Sequence, residues 1–326
     1  MRPLAEPTFA VTNRLPETAL EMLRAAGGLR LDDRTDAAPR ADLLDLVAGA
    51  GAILTLLHDR VDEELLEAAG AQLRCVANVA VGYDNVDTAA AARRGVVVTN
   101  TPGVLDDATA DLTMALLLAA TRRVAEGDRL IRAGRSWTWG MSFMLGSSLR
   151  GKLLGIVGLG GIGRRVAERA RAFGMEIAYH SRRPVPAEVA EELGAERLPL
   201  ERLLPRADVV SLHCPLTPET RHLIGARELA AMKPSAVLVN TSRGPVVDER
   251  ALAEALAAGE IAAAGLDVYE HEPQVEPALL ALENVVLSPH LGSATVETRT
   301  AMAELAARNA ISVLRGEGPL TPVTAQ

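Results

Sequence analysis

Three polar segments in the second half of the chain could together carry out acid–base chemistry on an anionic substrate. Residues 240–244, 267–273 and 288–293 each follow an apolar run that predicts a buried strand. Arg243 is suited to gripping a carboxylate bidentately while polarising a neighbouring carbonyl. His290 can donate a proton at neutral pH, and a carboxylate beside it would hold its tautomer. A single histidine after proline is more often structural, but three such segments on successive strand ends indicate a reaction centre.

A glycine-rich segment, Val-Gly-Leu-Gly-Gly-Ile-Gly at 157–163, predicts a dinucleotide site. An apolar run over 153–157 predicts a strand before it, and a helical pattern follows it. The first glycine permits a tight turn, the second lets the backbone approach a pyrophosphate, and the third lets helix and strand pack closely. The phosphates would lie at the positive end of the helix dipole. The predicted cofactor contacts here are Gly158, Leu159, Gly160, Gly161, Ile162 and Gly163.

The residues after the next predicted strand, 176–180, bear on the choice of cofactor. In an NAD site this strand usually ends in an acid that accepts hydrogen bonds from the ribose 2′-hydroxyl. Here it is followed by Ser181, Arg182 and Arg183. A carboxylate would repel a 2′-phosphate, whereas a hydroxyl and two guanidinium groups would bind one, although a solvated arginine pair is the alternative. We therefore expect NADP(H) to be preferred, with NAD(H) possible.

Three of the few aromatic residues lie close together in the sequence. Trp137, Trp139 and Phe143 fall within seven positions, in a chain with two tryptophans, three tyrosines and three phenylalanines. Such a cluster is expected to anchor a domain seam, a subunit contact or the mouth of an active site.

Length and composition indicate the number of domains, the fold class and the kind of partner. With 326 residues, the chain is expected to form two domains, and 48% hydrophobic residues indicate a globular α/β protein. A net charge of −8 argues against nucleic acid or an anionic membrane as the main partner. Cys75 and Cys214 are predicted to be free buried thiols. No signal peptide, membrane span or metal-ligand spacing is recognisable, so a cytoplasmic enzyme without metal is expected.

Strand-like and helix-like segments alternate along the chain, which predicts parallel α/β architecture. In the first hundred residues, the predicted strands are 9–12, 52–57, 73–80 and 96–99, and the predicted helices are 16–26, 62–69 and 88–94. A long helix over 106–121 follows. The later predicted strands are 153–157, 176–180, 209–214, 236–240, 263–267 and 285–288, and a final helix covers 295–314.

Taken together, these motifs resemble the D-isomer-specific 2-hydroxyacid dehydrogenases over nearly the whole chain. The shared motifs are VGLGGIG (157–163), NTSRGPVVDE (240–249), GLDVYEHEP (265–273) and SPHLGSAT (288–295). Within the family, the resemblance is greatest to glyoxylate/hydroxypyruvate reductases, through ANVAVGYDNVD (77–87), TNTPGVLDDATADL (99–112) and FMLG (143–146).

The resemblance implies a role for each catalytic residue. It makes Arg243 the ligand of the substrate carboxylate and carbonyl, His290 the proton donor, and Glu272 the acid paired with His290. The backbone amides of Val81 and Gly82 are implied to bind the substrate carboxylate. The remaining predicted contacts are Ser293 for the substrate, and Thr109, Pro215, Thr220, Asp267 and His290 for the cofactor. Asp267 in particular resembles the residue bonded to the nicotinamide carboxamide.

The family fold implies two Rossmann-like or flavodoxin-like parallel-sheet domains. The substrate-binding domain would be discontinuous, with residues 1–100 and 291–326, and the dinucleotide-binding domain would cover 101–290. Family dimers pair through the cofactor domain, with the region around 137–143 extended across the partner. The resemblance therefore favours a homodimer with the aromatic cluster at the subunit contact, although packing between the domains is the alternative.

The expected activity is reduction of glyoxylate and hydroxypyruvate to glycolate and D-glycerate by hydride transfer. Another D-2-hydroxyacid dehydrogenase, of the 3-phosphoglycerate or D-lactate type, is the main alternative. The end of the chain at Gln326 disfavours the long 3-phosphoglycerate type, and Glu272 disfavours formate dehydrogenase, which carries glutamine there. A dinucleotide-sensing corepressor is the rival from another class. Residues 56–60 either flank the substrate or merely end a strand.

Overall fold

The computed structural model describes residues 8–323, and the chain in this range forms two compact units. The first unit contains 8–105 and 293–323, and the second contains 106–292. The two units divide at 105/106 and 292/293, a few residues from the predicted boundaries, 100/101 and 290/291. The helix that begins at Asp106 belongs to the second unit. Leu291 and Gly292 also stay with the second unit, because their backbone amides donate to the carboxylate of Asp267.

The first unit is a five-stranded parallel sheet with helices around it. Its strands are β1 (Thr8–Val11), β2 (Gly28–Leu31), β3 (Ala52–Thr55), β4 (Cys75–Asn78) and β5 (Val97–Thr99). Its helices are α1 (Glu17–Ala26), α2 (Arg40–Val47), α3 (Glu63–Ala69), α4 (Thr88–Arg93) and, from the end of the chain, α13 (Val296–Arg315). The strand order β2-β1-β3-β4-β5 is that of flavodoxin-like sheets. The terminal helix α13 packs against α1 and against β3, β4 and β5.

Local sequence explains most of these elements. Asp62 caps α3, since its side chain accepts a hydrogen bond from the Leu65 amide at 3.2 Å. The strand β2 was not predicted. It lies at the edge of the sheet with every residue half-buried, and its Gly-Leu-Arg-Leu sequence lacks the continuous apolar run of a central strand.

The second unit is a seven-stranded sheet, also entirely parallel. Its strands are β6 (Leu153–Val157), β7 (Glu176–His180), β8 (Ala195–Arg197), β9 (Val209–Leu212), β10 (Val237–Asn240), β11 (Ala263–Leu266) and β12 (Val285–Leu287). Its helices are α5 (Asp106–Thr121), α6 (Val124–Arg132), α7 (Gly161–Ala172), α8 (Ala187–Leu193), α9 (Leu200–Leu203), α10 (Ala226–Ala230), α11 (Glu249–Ala258) and α12 (Pro277–Leu280), with a short 3-10 helix at Gly244–Val246.

The strand order β12-β11-β10-β9-β6-β7-β8 places the glycine-rich turn at the centre of this sheet. Hydrophobic cores cover both faces. One core contains side chains of α5 and α7, and the other contains side chains of α10 and α11. Burial on both faces explains why the strands are continuously apolar. Because all strands are parallel, the loops that follow them meet at one edge. None of the helices in the described range is long and apolar enough to span a lipid bilayer.

Candidate active site

His290 and Glu272 form a hydrogen-bonded pair at the carboxyl edge of the second sheet. Nδ1 of His290 lies 2.8 Å from Oε2 of Glu272. The other carboxylate oxygen, Oε1, accepts the backbone amide of Tyr269 at 3.0 Å, which fixes the carboxylate within its own loop. Because Nδ1 is engaged, Nε2 is the nitrogen left to transfer a proton.

The loop that carries His290 is anchored by Asp267. The carbonyl of Asp267 accepts the His290 amide at 2.8 Å. Its carboxylate accepts the Ser288 hydroxyl at 2.6 Å and the amides of Leu291 and Gly292 at 2.7 and 2.8 Å. These bonds hold both sides of His290, whose φ of +54° is unfavourable for a residue with a side chain. Asp267 is therefore a structural anchor of this loop, whatever else it binds.

The loop that carries Arg243 folds around the buried side chain of Asn240. The side-chain amide of Asn240 donates to the Arg243 carbonyl at 3.0 Å, and its oxygen accepts the amide and hydroxyl of Ser242. The guanidinium of Arg243 donates in turn to the Ser242 carbonyl at 2.9 Å. Asparagine at the end of β10 thus builds a tight local turn that sets the direction of the Arg243 backbone.

Two features bring the Arg243 loop against the Glu272 loop. A β-carbon on Gly244 would lie 1.8 Å from the carbonyl carbon of Tyr269, so only glycine allows this approach. Beside it, Glu249 and Glu270 exchange hydrogen bonds reciprocally: each carboxylate accepts the backbone amide of the other residue. The two carboxylates therefore tie the start of α11 to the loop that contains Glu272.

The electrostatics of the pair favour an ionised Glu272. Burial by itself would raise the pKa of Glu272, but the hydrogen bond and charge of His290, the Tyr269 amide and the charge of Arg243 outweigh it and hold this pKa below its usual range. The side chains of His290 and Glu272 are 29% and 35% exposed, so solvent screens the pair in part. Glu272 is thus a carboxylate at neutral pH, and its charge stabilises a protonated imidazole.

The glycine turn after β6 has the shape that a dinucleotide requires. Gly158 has a φ of +98°, and a β-carbon there would lie 2.7 Å from the His213 backbone. A β-carbon on Gly163 would lie 2.3 Å from the Gly158 carbonyl oxygen, where α7 packs on the turn. Gly160 is different, because a β-carbon there would meet nothing within 4 Å. The open space over Gly160, at the amino end of α7, fits the pyrophosphate of a nicotinamide dinucleotide.

The segment after β7 exposes the two arginines that were singled out for a 2′-phosphate. Arg182 and Arg183 lie exposed, and Ser181 is half-buried. Arg197, which the sequence did not draw attention to, donates to the carbonyls of Ser181 and Arg182 at 2.9 and 3.1 Å. Ser181 also closes a turn by donating to the Arg183 carbonyl. Arg197 therefore braces the loop in which the arginines lie.

The other predicted cofactor residues differ in their burial and in their hydrogen bonding. The side chain of Leu159 is buried in the core under α5 and α7, so only its backbone can face a ligand. The hydroxyl of Thr220 is used within its own turn, donating to the Pro215 carbonyl at 2.7 Å. Thr109 is buried in the first half of α5, and its Cγ2 would be 3.3 Å from a β-carbon on Gly292. Thr109 thus borders the end of the His290 loop.

The remaining predicted substrate residues belong to the first unit. Val81 and Gly82 follow β4 and are half-buried. Ser293 is also half-buried and lies two residues before Thr295, the residue that caps α13.

One titratable residue of this edge, His213, lies in a setting that the sequence did not predict. His213 follows β9, and its Nε2 lies 2.8 Å from the hydroxyl of the buried Ser211. Burial lowers the pKa of His213 to about 3, so this imidazole is neutral at physiological pH. His213 therefore lacks the positive charge of an imidazolium acid.

Comparison with known proteins shows which proteins this chain is similar to. A family model described as D-isomer specific 2-hydroxyacid dehydrogenase, NAD binding domain, matches residues 114–292. A glyoxylate reductase from Thermococcus litoralis is 50% identical over 319 residues, which cover 96% of each chain. A crystal structure of a Thermus thermophilus protein has a TM-score of 0.90 at 47% identity and covers 97% of this chain and 100% of that one. An NADPH-dependent glyoxylate/hydroxypyruvate reductase from Sinorhizobium meliloti, in complex with NADP and malonate, has a TM-score of 0.85 at 39% identity and covers 98% of this chain and 97% of that one.

Proposed function

This chain belongs to the D-isomer specific 2-hydroxyacid dehydrogenase family, and we propose that it reduces glyoxylate and hydroxypyruvate to glycolate and D-glycerate, with NADPH preferred over NADH. The observation that carries the proposal is the His290–Glu272 pair at 2.8 Å, with the loop of Arg243 packed against the loop of Glu272. A proton donor and a carboxylate ligand at one sheet edge are what reduction of a 2-oxo acid requires of the protein.

The chain's own residues account for binding and proton transfer. Arg243 binds the carboxylate of the 2-oxo acid and stabilises the negative charge that develops on its carbonyl oxygen. His290 donates a proton from Nε2 to that oxygen, while Nδ1–H stays bonded to Glu272. The Glu272 carboxylate stabilises the imidazolium before transfer and keeps the ring oriented after it. When bound, the reduced nicotinamide supplies the hydride.

The glyoxylate and hydroxypyruvate assignment is supported by the relatives. The Thermococcus litoralis protein is a glyoxylate reductase and the Sinorhizobium meliloti protein acts on glyoxylate and hydroxypyruvate. The test is a steady-state panel of glyoxylate, hydroxypyruvate, pyruvate and phosphohydroxypyruvate, each with NADPH and with NADH. The proposal expects the highest kcat/KM for the first two acids. A higher kcat/KM for pyruvate or phosphohydroxypyruvate would assign the chain to another activity of the family.

The preference for NADPH is supported by the loop after β7. No acidic residue stands at the end of this strand, where an NAD site usually has one, and Ser181 is followed by two exposed arginines. Arg197 holds the Ser181 and Arg182 carbonyls, so the loop is ordered by its own contacts. An ordered loop with two guanidinium groups fits a ribose 2′-phosphate.

A homodimer is supported by an exposed apolar segment, 137–145, in the second unit. Trp137 and Phe143 stack with ring centroids 6.0 Å apart, yet their exposed fractions are 53% and 38%. Trp139, Met141 and Leu145 are 75%, 82% and 65% exposed. A contiguous set of large exposed apolar side chains is typical of a surface that a partner covers. A second copy of this chain is the partner we propose.

A further inference from the structure

A two-residue loop in the first unit, Val81–Gly82, has both of its carbonyl groups held by asparagine side chains. The side-chain amide of Asn100 donates to the Val81 carbonyl at 2.8 Å. The side-chain amide of Asn78 donates to the Gly82 carbonyl at 2.9 Å. Both acceptors of the loop are therefore turned toward the protein.

The two backbone amides of the Val81–Gly82 loop differ from its carbonyls in their hydrogen bonding. In the part of the chain that the structure describes, neither the Val81 amide nor the Gly82 amide donates a hydrogen bond, and both residues are half-exposed. Successive amides that point out of a turn form an anion-binding concavity. The loop therefore presents two donors that a carboxylate can use.

Asn78 is fixed in its orientation by buried partners. The side chain is fully buried. Its oxygen accepts the hydroxyl of Thr55 at 3.0 Å, and its amide group also lies 3.2 Å from the side-chain oxygen of Asn85. An oxygen engaged by Thr55 leaves the NH₂ group to face the Gly82 carbonyl.

Asn100 is held by the last described residues of the chain. The Thr321 hydroxyl donates to the Asn100 carbonyl at 2.6 Å, and the Asn100 amide donates to the Thr321 carbonyl at 3.3 Å. The Thr321 amide donates to the buried side chain of Asn309 in α13 at 3.0 Å. The Val323 amide donates to the Val98 carbonyl, so this segment runs along the edge of β5. The C-terminal segment, 320–323, is thus connected to Val81 through Asn100.

We propose that Asn78 and Asn100 are positioning residues for substrate binding. We also propose that the C-terminal segment, 320–323, affects substrate binding by holding Asn100. The Val81 carbonyl shares a peptide plane with the Gly82 amide, so Asn100 keeps that amide directed at the carboxylate of the substrate. Asn78 fixes the following peptide plane and so holds the backbone on the other side of Gly82. The inference rests on the proposed function, because the anion assigned to this loop is the carboxylate of the 2-oxo acid. Asn78 and Asn100 do not touch the substrate themselves.

The test uses three substitutions in the full-length protein and one control. Asn78→Asp and Asn100→Asp keep the side-chain shape but replace a donor with an acceptor. Thr321→Val keeps the shape and removes the hydroxyl that holds Asn100. The control, Asn284→Ala, removes an asparagine that likewise donates to backbone carbonyls, but in the second unit. The readouts are the amide ¹H–¹⁵N resonances of Val81 and Gly82, KM and kcat for glyoxylate, and the Kd of NADPH.

We expect each aspartate variant to shift the Val81 or Gly82 resonance and to raise KM about tenfold, the size of one lost hydrogen bond. Thr321→Val should also shift these resonances and raise KM, but by a smaller factor. The value of kcat, the Kd of NADPH and all properties of Asn284→Ala should stay near wild type. A kcat loss without a KM change would overturn the inference, since positioning of a binding loop predicts the reverse.

Failure of the inference can be told apart from failure of the proposed function. If wild type reduces glyoxylate and all folded variants keep its KM, the inference is wrong and the function stands. If wild type reduces no 2-oxo acid, the proposed function is wrong. The inference is then tested by the amide resonances alone, and unchanged Val81 and Gly82 signals in the variants would overturn it. If Asn78→Asp does not fold, the half-buried Asn100 and Thr321 variants decide.

Discussion

Gly244 and Tyr269 are in backbone contact: a β-carbon added to Gly244 would lie 1.8 Å from the Tyr269 carbonyl carbon. Gly244 directly follows Arg243, and the Tyr269 amide binds the carboxylate of Glu272. The contact therefore sets the spacing between the loop of the proposed carboxylate ligand and the loop of the residue paired with His290.

Gly244→Ala should damage both stability and activity, because backbone atoms on either side must move apart. We expect a loss of about 1–3 kcal/mol in the free energy of unfolding, the usual cost of overpacking. A fall in kcat/KM for glyoxylate should accompany it. Urea unfolding and steady-state assays measure the two effects. Gly127→Ala is the matched control, since the nearest atom to its β-carbon is 3.8 Å away and the site is helical. Equal behaviour of the two variants would contradict the close approach.

His290→Gln should lose most of its turnover while still binding NADPH. General acid catalysis typically contributes roughly 10²–10⁴-fold, and we expect kcat to fall by that amount. Cofactor fluorescence titration should give a Kd near wild type. His271→Gln, at an exposed histidine next to Glu272, is the control and should keep its activity. If His290→Gln turned over near the wild-type rate, with an isotope effect showing that hydride transfer limits the rate, another group would be the proton donor.

Glu272→Gln should move the pH dependence of reduction. The pKa of Glu272 lies below its usual range, so the wild-type residue is charged at neutral pH and stabilises the imidazolium of His290. Glutamine removes the negative charge that favours positive charge at the proton donor, so reductive kcat should decline at a lower pH than in wild type. The profile is measured from about pH 5 to pH 10 with saturating NADPH. An alkaline limb that stays in place would show that the two groups are not coupled.

The same substitution makes a prediction about folding. A carboxyl group whose folded-state pKa is lowered stabilises the fold above its unfolded pKa, roughly 4.3 for glutamate, and less as the pH falls. Thermal unfolding should therefore show the difference between wild type and Glu272→Gln at pH 7, and a smaller difference in acid. If the stability difference between wild type and Glu272→Gln grew as the pH fell, the ionised Glu272 carboxylate would not be the source of the difference.

Changing Arg182 and Arg183 together to Ala should weaken NADPH binding and leave NADH binding nearly unchanged. Loss of charge-assisted hydrogen bonds to a 2′-phosphate should raise the Kd of NADPH roughly ten- to a hundredfold. Arg250→Ala, at an exposed arginine on α11, is the control. An equal loss of affinity for the two cofactors would show that the arginines do not recognise the 2′-phosphate.

Replacing Trp137, Trp139 and Phe143 together with Ser should convert a dimer into monomers. The reason is that these exposed rings would supply the apolar core of the subunit contact. Light scattering coupled to size exclusion, at micromolar protein, gives the mass directly. A wild-type protein that already runs as a monomer at this concentration would refute the proposed dimer.

The sequence by itself determined the parallel α/β class and the chemical types of the site residues. Strands such as 153–157 were recognisable because a strand buried on both faces must be apolar throughout. The glycine turn was recognisable because each of its glycines meets a local demand of strand, phosphate or helix. Parallel strands also bring their carboxyl ends to one edge, which is why Arg243 and His290 could be predicted to share a site.

Only the tertiary structure decided how these residues are held. Asp267 anchors the His290 loop from a neighbouring strand, and Glu249 and Glu270 bind each other's backbone across two loops. Asn100 and Thr321, which are separated by 221 positions, come together at the edge of β5. A hydrogen bond between distant segments leaves no periodicity or spacing in the sequence, because its geometry exists only after the strands have been ordered in the sheet.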